Sequence, residues 1–127
     1  MRAGVYYVRD IKFGSMFPNY ELCKIGYTHN IKRRLIQFPN YDNLEMVKFQ
    51  SFKGGDTLTM YELEQKWIGE QRIWFQPFWN TKTLNSKVIE RMELPMMEYF
   101  QSMIRKHHIV DNLTSNWGST EWFVIKK

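Results

Sequence analysis

Residues 22–37, Leu-Cys-Lys-Ile-Gly-Tyr-Thr-His-Asn-Ile-Lys-Arg-Arg-Leu-Ile-Gln, predict a strand that leads directly into a short helix. The segment Leu22 to Tyr27 is mostly apolar or aromatic, which favours a strand. Thr28 or Asn30 can cap the helix, because a small polar side chain accepts a hydrogen bond from an otherwise unpaired amide. The helix ends before Pro39, whose ring cannot continue it. This stretch therefore predicts a fold that mixes strands and helices.

The flanking segments predict two further main strands and two further helices. Gly14 and Pro18 predict a hairpin loop between the first two strands. Asp56 or Thr57 provides a cap for the central helix. In chain order, we expect a strand at 3–9, the hairpin loop at 12–19, a strand at 44–52, a helix from about 56 to 72, an irregular aromatic segment at 74–80, a helix at about 85–108 that Pro95 is able to break, and a short strand or extended tail at 121–127.

These elements indicate an α/β (α+β) fold with a small central antiparallel sheet of three strands. Helices flank the sheet, and a C-terminal helical extension follows it. A chain of 127 residues, 43% of them hydrophobic, suffices for one core. We therefore expect a single domain at 1–127, with its core at about 3–80 and the helical extension and tail at about 85–127.

Charge and cysteine content narrow the classes of function. Eighteen Lys and Arg against thirteen Asp and Glu give a net charge of +5, which favours a polyanion such as nucleic acid as the partner. The alternative is an ordinary basic protein. No stretch has the length of a membrane span or the pattern of a signal peptide, so we expect no membrane partner. Cys23 is the only cysteine, which excludes an internal disulfide and favours an intracellular setting.

Two short motifs lie on the first two predicted strands. They are Gly4-Val5-Tyr6 and Lys24-Ile25-Gly26, and Arg34 follows ten residues after Lys24 on the next helix. Glu64 comes three residues before Trp67-Ile68 on the central helix, and Asn80 follows further on. This ordered set resembles the GIY-YIG nuclease superfamily, whose two half-motifs, arginine, glutamate and asparagine occur in the same order. The resemblance covers about residues 3–80 and the tail.

Further residues resemble one branch of that superfamily, rich in phage and viral proteins. Members of that branch are similar to this chain in the segment Cys23-Lys-Ile-Gly-Tyr-Thr, in the following Arg33-Arg34-Leu35 and in the C-terminal Glu121-Trp122-Phe123. The resemblance implies an endonuclease that uses one Mg²⁺ or Mn²⁺ ion to cut nucleic acid, with DNA as the expected substrate. It does not imply an oligomeric state.

The resemblance also implies a role for each matched residue. Glu64 would hold the metal ion, since a hard carboxylate suits Mg²⁺. Arg34 would bind the scissile phosphate with its planar set of donors. Tyr6 would orient or deprotonate the attacking water. Asn80 would support the site near the end of the minimal domain. If these roles hold, Tyr6, Lys24, Arg34 and Glu64 should converge on one concave, basic surface.

Lys24 is the main departure from the family pattern, since the usual residue there is a tyrosine. A lysine could stabilise phosphate charge or favour the phenolate of Tyr6. Tyr27, three residues later, could supply the second hydroxyl. Lys24 could equally be a residue that faces solvent.

The other matched residues have competing interpretations. Arg33 competes with Arg34, Glu62 with Glu64, and Asn85 with Asn80. Gly26 indicates a position where a side chain would block a close approach. Glu121 is more often structural than catalytic in an aromatic context.

Two further groups have simpler explanations than a site. His107 and His108 end a basic run that would complement a helix dipole rather than bind metal. The aromatic stretch 74–79 is more often core than a base-stacking surface.

Two alternative functions remain besides the nuclease. One is a degenerate module that binds nucleic acid or a host protein without cutting, and the other is a viral accessory protein that acts by protein contact.

Overall fold

The computed structural model describes residues 2–54, 56–110 and 117–127. Strands and helices alternate along these residues in a mixed order. The strands are β1 (Gly4–Asp10), β2 (Tyr20–Thr28), β3 (Leu44–Ser51), β4 (Ile73–Phe75), β5 (Phe78–Asn80), β6 (Thr83–Leu84) and β7 (Trp122–Lys126). The α-helices are α1 (Ile11–Met16), α2 (Ile31–Ile36), α3 (Thr57–Gly69) and α4 (Leu94–Val110), and short 3₁₀ turns lie at Tyr41–Asn43, Ile89–Arg91 and Ser119–Glu121.

The main sheet has five antiparallel strands in the order β3-β1-β2-β7-β4, and β5 and β6 form a separate hairpin. The α+β class is confirmed, but the expected sheet of three strands is too small. The three predicted strands lie side by side as β3, β1 and β2. The C-terminal strand β7 then pairs with β2, and β4 pairs with β7 on its other edge. The tail is therefore an integral part of the sheet.

The expected loop at 12–19 is wrong, because α1 occupies most of it. Asp10, at the end of β1, accepts a hydrogen bond from the amide of Phe13 and so caps the helix. Phe13 and Phe17 are buried, and their rings pack with centroids 4.9 Å apart. The cap and this packing outweigh the turn preference of Gly14 inside the helix.

Two boundaries in the second half also differ from the prediction. The aromatic segment 74–80 is not irregular throughout, because parts of β4 and β5 lie in it on either side of Pro77. The last helix begins at Leu94 rather than near residue 85, which places Pro95 in the first turn, where a missing amide costs no hydrogen bond. Among residues 2–54, 56–110 and 117–127, no helix combines the length and apolar character needed to cross a membrane.

The two faces of the sheet carry two hydrophobic clusters. The first cluster includes Tyr6 and Val8 of β1 and is covered by α1 and α4. The second cluster includes Val5 and Tyr7 of β1 and is covered by α3. Because side chains alternate along a strand, Lys24 and Gly26 of β2 share a face with the first cluster, while Cys23, Ile25 and Tyr27 belong to the second.

Candidate active site

Tyr6 and Gly26 are directly opposite each other on β1 and β2. The Tyr6 side chain lies across Gly26, so a Cβ atom at position 26 would lie 2.6 Å from the Tyr6 hydroxyl oxygen. That separation is far below van der Waals contact, and only glycine leaves room for the ring. Gly26 therefore positions the hydroxyl of Tyr6, whose residue is 1% exposed.

Lys24 lies two residues before Gly26 on the same face of β2. Its cross-strand neighbours are Val8 on β1 and Trp122 on β7, and the lysine is 0% exposed. The buried ammonium donates a hydrogen bond to the carboxylate of Glu121, which is half exposed. This ion pair compensates the lysine charge, which burial would otherwise make very costly.

Gly118 brings Arg34 and Lys24 to one point. Its φ of +64° lies in the left-handed region, and it begins the turn that carries Glu121. A Cβ atom at position 118 would lie 3.0 Å from an Arg34 terminal nitrogen and 3.0 Å from the Lys24 Nζ. The two cations therefore converge on the backbone of this glycine from α2 and β2.

Phe38, just beyond α2, is the common neighbour of the gathered residues. Its ring centroid lies 4.9 Å from the Arg34 guanidinium carbon and 5.9 Å from the Lys24 Nζ. The Tyr6 and Trp122 ring centroids lie 6.3 Å and 5.4 Å from it. A buried aromatic face near two cations stabilises them electrostatically, so Phe38 both packs and orients the group.

Glu64 reaches this region from the other face of the sheet. It lies on α3 and is 5% exposed, and its carboxylate accepts a hydrogen bond from the Gln65 side chain at 2.9 Å and one from the backbone amide of Tyr27. Burial raises the pKa of Glu64, and the negative charge of Glu121 raises it further. Glu64 therefore lies within electrostatic range of both Glu121 and Lys24.

The approach of Glu64 is possible because the sheet has a notch. Within the described residues, β7 pairs with β2 only from Tyr20 to Lys24, whereas β1 continues to pair as far as Thr28. The Tyr27 amide on this edge is the group that meets the Glu64 carboxylate. Tyr6 and Glu64 therefore lie on opposite faces of the sheet, and Glu64 comes within electrostatic range of Lys24 and Glu121 at the notch.

The structure distinguishes the matched residues from two of their rivals. Arg34 is half-buried and Glu64 is buried, whereas Arg33 and Glu62 are exposed on the same helices. The guanidinium of Arg34 also donates to the Gln37 side chain at 3.1 Å, which fixes its orientation. The placement favours the residues that the family resemblance selected.

Tyr27 and Asn80 do not join the group through their side chains. The Tyr27 ring belongs to the second cluster and packs edge-on against Tyr61, with centroids 6.5 Å apart. The exposed Asn80 accepts a hydrogen bond from the Lys82 amide at 2.8 Å and so forms the β5–β6 turn. Asn85 has a similar turn role, since it accepts from the Lys87 amide at 3.1 Å.

Other candidate residues lie mostly in or against the core, although Trp79 of the aromatic stretch is 60% exposed. Trp74 stacks on Tyr20 with centroids 5.0 Å apart, and His107 is buried against Trp117 at 5.7 Å. The side chain of His108 lies outside the described residues. Cys23 is buried in the second cluster, and burial raises the pKa of its thiol to about 12, which makes it a poor nucleophile.

The expected concave, basic surface is only partly present. Arg34 and Glu121 form an accessible rim, but Tyr6 and Lys24 are enclosed beneath it by Phe38 and the turn after Gly118. The charge at this point is also balanced, because Glu64 and Glu121 accompany the two cations. The sequence patterns did not identify Phe38 or Gly118 as part of the site, and they indicated only a structural role for Glu121. The spacing of Phe38 after Arg34, close to one helical turn, was an available signal.

The donor set suits a single hard cation. Across residues 2–54, 56–110 and 117–127, no three His, Cys, Asp or Glu side chains are grouped for metal binding. Mg²⁺ needs only one or two protein carboxylates when water and substrate phosphate complete its shell. Glu64 is a buried carboxylate in this region, and its pKa is raised by burial and by the negative charge of nearby Glu121.

Comparisons with protein-family models, with curated proteins and with solved structures find no match to this chain. The candidate site is therefore defined by its own geometry.

Proposed function

We propose that this chain is a divalent-metal-dependent endonuclease that hydrolyses phosphodiester bonds in nucleic acid, with DNA as the expected substrate. One observation supports the proposal above others. Tyr6, Lys24 and Arg34 come from three different elements and gather around Phe38 beside the turn that holds Glu121, and Glu64 of α3 lies within electrostatic range of Lys24 and Glu121. These are the residues that the family resemblance selected from the sequence.

The proposed chemistry assigns one task to each side chain. Arg34, at the accessible rim, binds the scissile phosphate through its fork of donors. A phosphate oxygen that replaces the Glu121 carboxylate would meet the ammonium of Lys24, which then stabilises the charge of the pentacoordinate transition state. The Tyr6 hydroxyl orients the water that attacks phosphorus, and the proton that this water loses passes to solvent. The phosphorus–oxygen bond to the leaving strand breaks, and that oxygen gains a proton from solvent.

Glu64 would hold the metal ion. A bound Mg²⁺ or Mn²⁺ supplies Lewis-acid stabilisation of phosphate charge. Its other ligands would be water and substrate oxygens, because the carboxylate already accepts from Gln65 and from the Tyr27 amide.

A nicking assay tests the proposal directly. Purified protein is incubated with supercoiled plasmid in Mg²⁺, in Mn²⁺ and in EDTA. We expect conversion to open circular and linear DNA with either metal and no conversion in EDTA. Supercoiled DNA that remains intact in both metals, together with intact single-stranded DNA and RNA, would refute the nuclease.

The burial of Tyr6 and Lys24 favours a second candidate. At 1% and 0% exposure these residues lie beneath the rim rather than in an open cleft. A module that binds nucleic acid without cutting it, or that contacts a host protein as a viral accessory protein, needs neither group at the surface. Binding of DNA with no cleavage in any metal supports the first of these forms, while cleavage that is lost on Glu64 substitution refutes both.

A further inference from the structure

Two open clefts lie on either side of the loop that joins β2 to α2. The first cleft has a volume of about 520 Å³ and is lined by Arg2, His29 and Lys53, with Ser51 and Phe52 between them. The second cleft has a volume of about 560 Å³. Its lining residues are Asn30, Lys32, Arg33, Leu35, Ile36 and Tyr41.

Consecutive residues join the two clefts. His29 lines the first cleft and Asn30 lines the second. The carbonyl of Arg2 accepts a hydrogen bond from the Ile31 amide at 3.0 Å, which ties the first cleft to the start of α2. The two clefts therefore flank the same loop, at His29 and at Asn30.

The lining of the two clefts is cationic. Arg2, His29, Lys53, Lys32 and Arg33 form what we call the basic band, and none of the described residues that line either cleft is Asp or Glu. Two exposed carboxylates adjoin the clefts along the chain: Asp42 follows Tyr41, and Asp56 caps α3 by accepting from the Leu58 amide at 3.2 Å and from the Thr59 hydroxyl at 2.7 Å. Four Lys and Arg side chains around one loop attract a polyanion more than a neutral or mixed-charge partner.

The basic band adjoins residues of the candidate site along the chain. Lys32 and Arg33 precede Arg34 on α2, and His29 follows two residues after Tyr27, whose amide contacts Glu64. A strand whose scissile phosphate lies at Arg34 would therefore pass its neighbouring phosphates along the basic band. The exposed ring of Tyr41 in the second cleft offers a face on which a base can stack.

We propose that the basic band is the track for the nucleic-acid backbone on either side of the scissile phosphate. This inference deepens the proposed function and depends on it for the position of the scissile bond. The track is sequence-independent, because its contacts are to phosphates. Its affinity should therefore depend strongly on salt, with each lost phosphate contact reducing the slope of log K against log salt by about 0.9 on duplex DNA.

Charge reversal with a matched control tests the track. The test variant is Lys32→Glu/Arg33→Glu, and the control is Lys12→Glu/Lys127→Glu, whose residues are exposed at the opposite end of the sheet. Both variants change the net charge by the same amount. Binding to a fluorescein-labelled 20-base-pair duplex is measured by anisotropy in EDTA, between 50 and 300 mM salt. A second test pair, Arg2→Glu/Lys53→Glu, examines the first cleft.

We expect both test variants to bind about 10-fold or more weakly than the parent at 100 mM salt, with a salt slope lower by about 2, while the control stays within about threefold. Equal losses in test and control variants would overturn the track in favour of net charge alone. A parent that binds no duplex or single-stranded DNA or RNA even at 50 mM salt would also overturn it. Because binding is measured in EDTA, plasmid that is bound through the basic band but never cut refutes the nuclease and leaves the track standing.

Discussion

The ammonium of Lys24, fully buried on β2, donates to the carboxylate of Glu121, which lies 97 residues later and is half exposed. One end of this pair is surrounded by Phe38, Val8 and Trp122, while the other end meets solvent. The lysine cannot recover hydration if its partner is removed, whereas the glutamate can. The pair therefore holds the turn after Gly118 against the candidate site and makes the two partners unequal in their effect on stability.

This asymmetry predicts unequal costs for removing the two partners. Glu121→Gln leaves the buried ammonium of Lys24 without an opposite charge and should lower the free energy of unfolding by about 3 kcal/mol. Lys24→Met keeps the length of the side chain and leaves only an exposed carboxylate, so its cost should be below about 1.5 kcal/mol. Urea denaturation at pH 7 measures both. A Lys24→Met variant that is less stable than Glu121→Gln would contradict the burial argument.

The same lysine should be important for cleavage. Lys24→Met removes a positioned charge and should slow plasmid nicking at neutral pH by on the order of 10²-fold. Lys24→Tyr, which restores the residue usual in the GIY-YIG pattern, should retain more activity than Lys24→Met. Thermal melts of each variant separate loss of chemistry from loss of fold. Parental rates in Lys24→Met would show that the lysine is not catalytic, and cleavage would then depend on Tyr6, Arg34 and Glu64.

The parts of the site that the sequence could predict are those fixed by local order. Strand and helix signals around Lys24 and Arg34 place both residues correctly on β2 and α2, and the cap at Asn30 is the one that the structure uses. The position of Glu64 on α3 follows in the same way from the helix start at Asp56. In each case the deciding interaction lies within a few residues along the chain.

The missed parts depend on contacts between distant segments. The pairing of β7 with β2 joins residues about a hundred positions apart, and no local pattern encodes it. The burial of Lys24 follows from that pairing, because Trp122 covers its stem and Glu121 receives its charge. The helix α1 was missed for a related reason, since Asp10 both caps it and accepts from the distant Asn40 side chain at 2.8 Å.

Two glycines should be intolerant of a single methyl group. Gly26→Ala would place its Cβ 2.6 Å from the Tyr6 hydroxyl, and Gly118→Ala would add left-handed strain to a 3.0 Å approach to Lys24. We expect each to lower the free energy of unfolding by about 1–3 kcal/mol, through overpacking and backbone strain. Gly69→Ala is the matched control, because its Cβ would meet nothing within 4 Å on α3.

The control should be neutral or more stable by up to about 1 kcal/mol, since alanine favours a helix. Chemical denaturation ranks the three variants. Equal stability of Gly26→Ala and Gly69→Ala would show that the Tyr6 ring has room to move, and the positioning role of Gly26 would be lost.

Removing Glu64, the proposed metal ligand, should separate cleavage from binding. Glu64→Ala should reduce cleavage by at least about 10²–10³-fold, because the divalent ion loses its protein ligand. DNA affinity should stay equal or rise, since a group that repels phosphate has gone. Glu62→Ala, two residues earlier and exposed on the same helix, should cleave at the parental rate. Robust cleavage by Glu64→Ala would show that the metal ligand lies elsewhere.

The raised pKa of Glu64 predicts how stability depends on pH and on metal. The folded state holds this proton more tightly than the unfolded chain, so the stabilising contribution is complete below the ordinary pKa of 4.5 and is lost as pH rises through the raised value. Glu64→Gln keeps the shape and the hydrogen bonds without the charge. It should therefore match the parent near pH 4 and exceed it in the free energy of unfolding at pH 7.

Mg²⁺ should raise the melting temperature of the parent at pH 7, because it binds the ionised carboxylate of the folded state, and should leave the melting temperature of Glu64→Gln unchanged. Calorimetric melts at both pH values, with and without 10 mM Mg²⁺, provide the comparison. The opposite result would be a parent that, without metal, becomes more stable relative to Glu64→Gln as pH rises. That result would show that ionised Glu64 stabilises the fold and that the predicted sign is wrong.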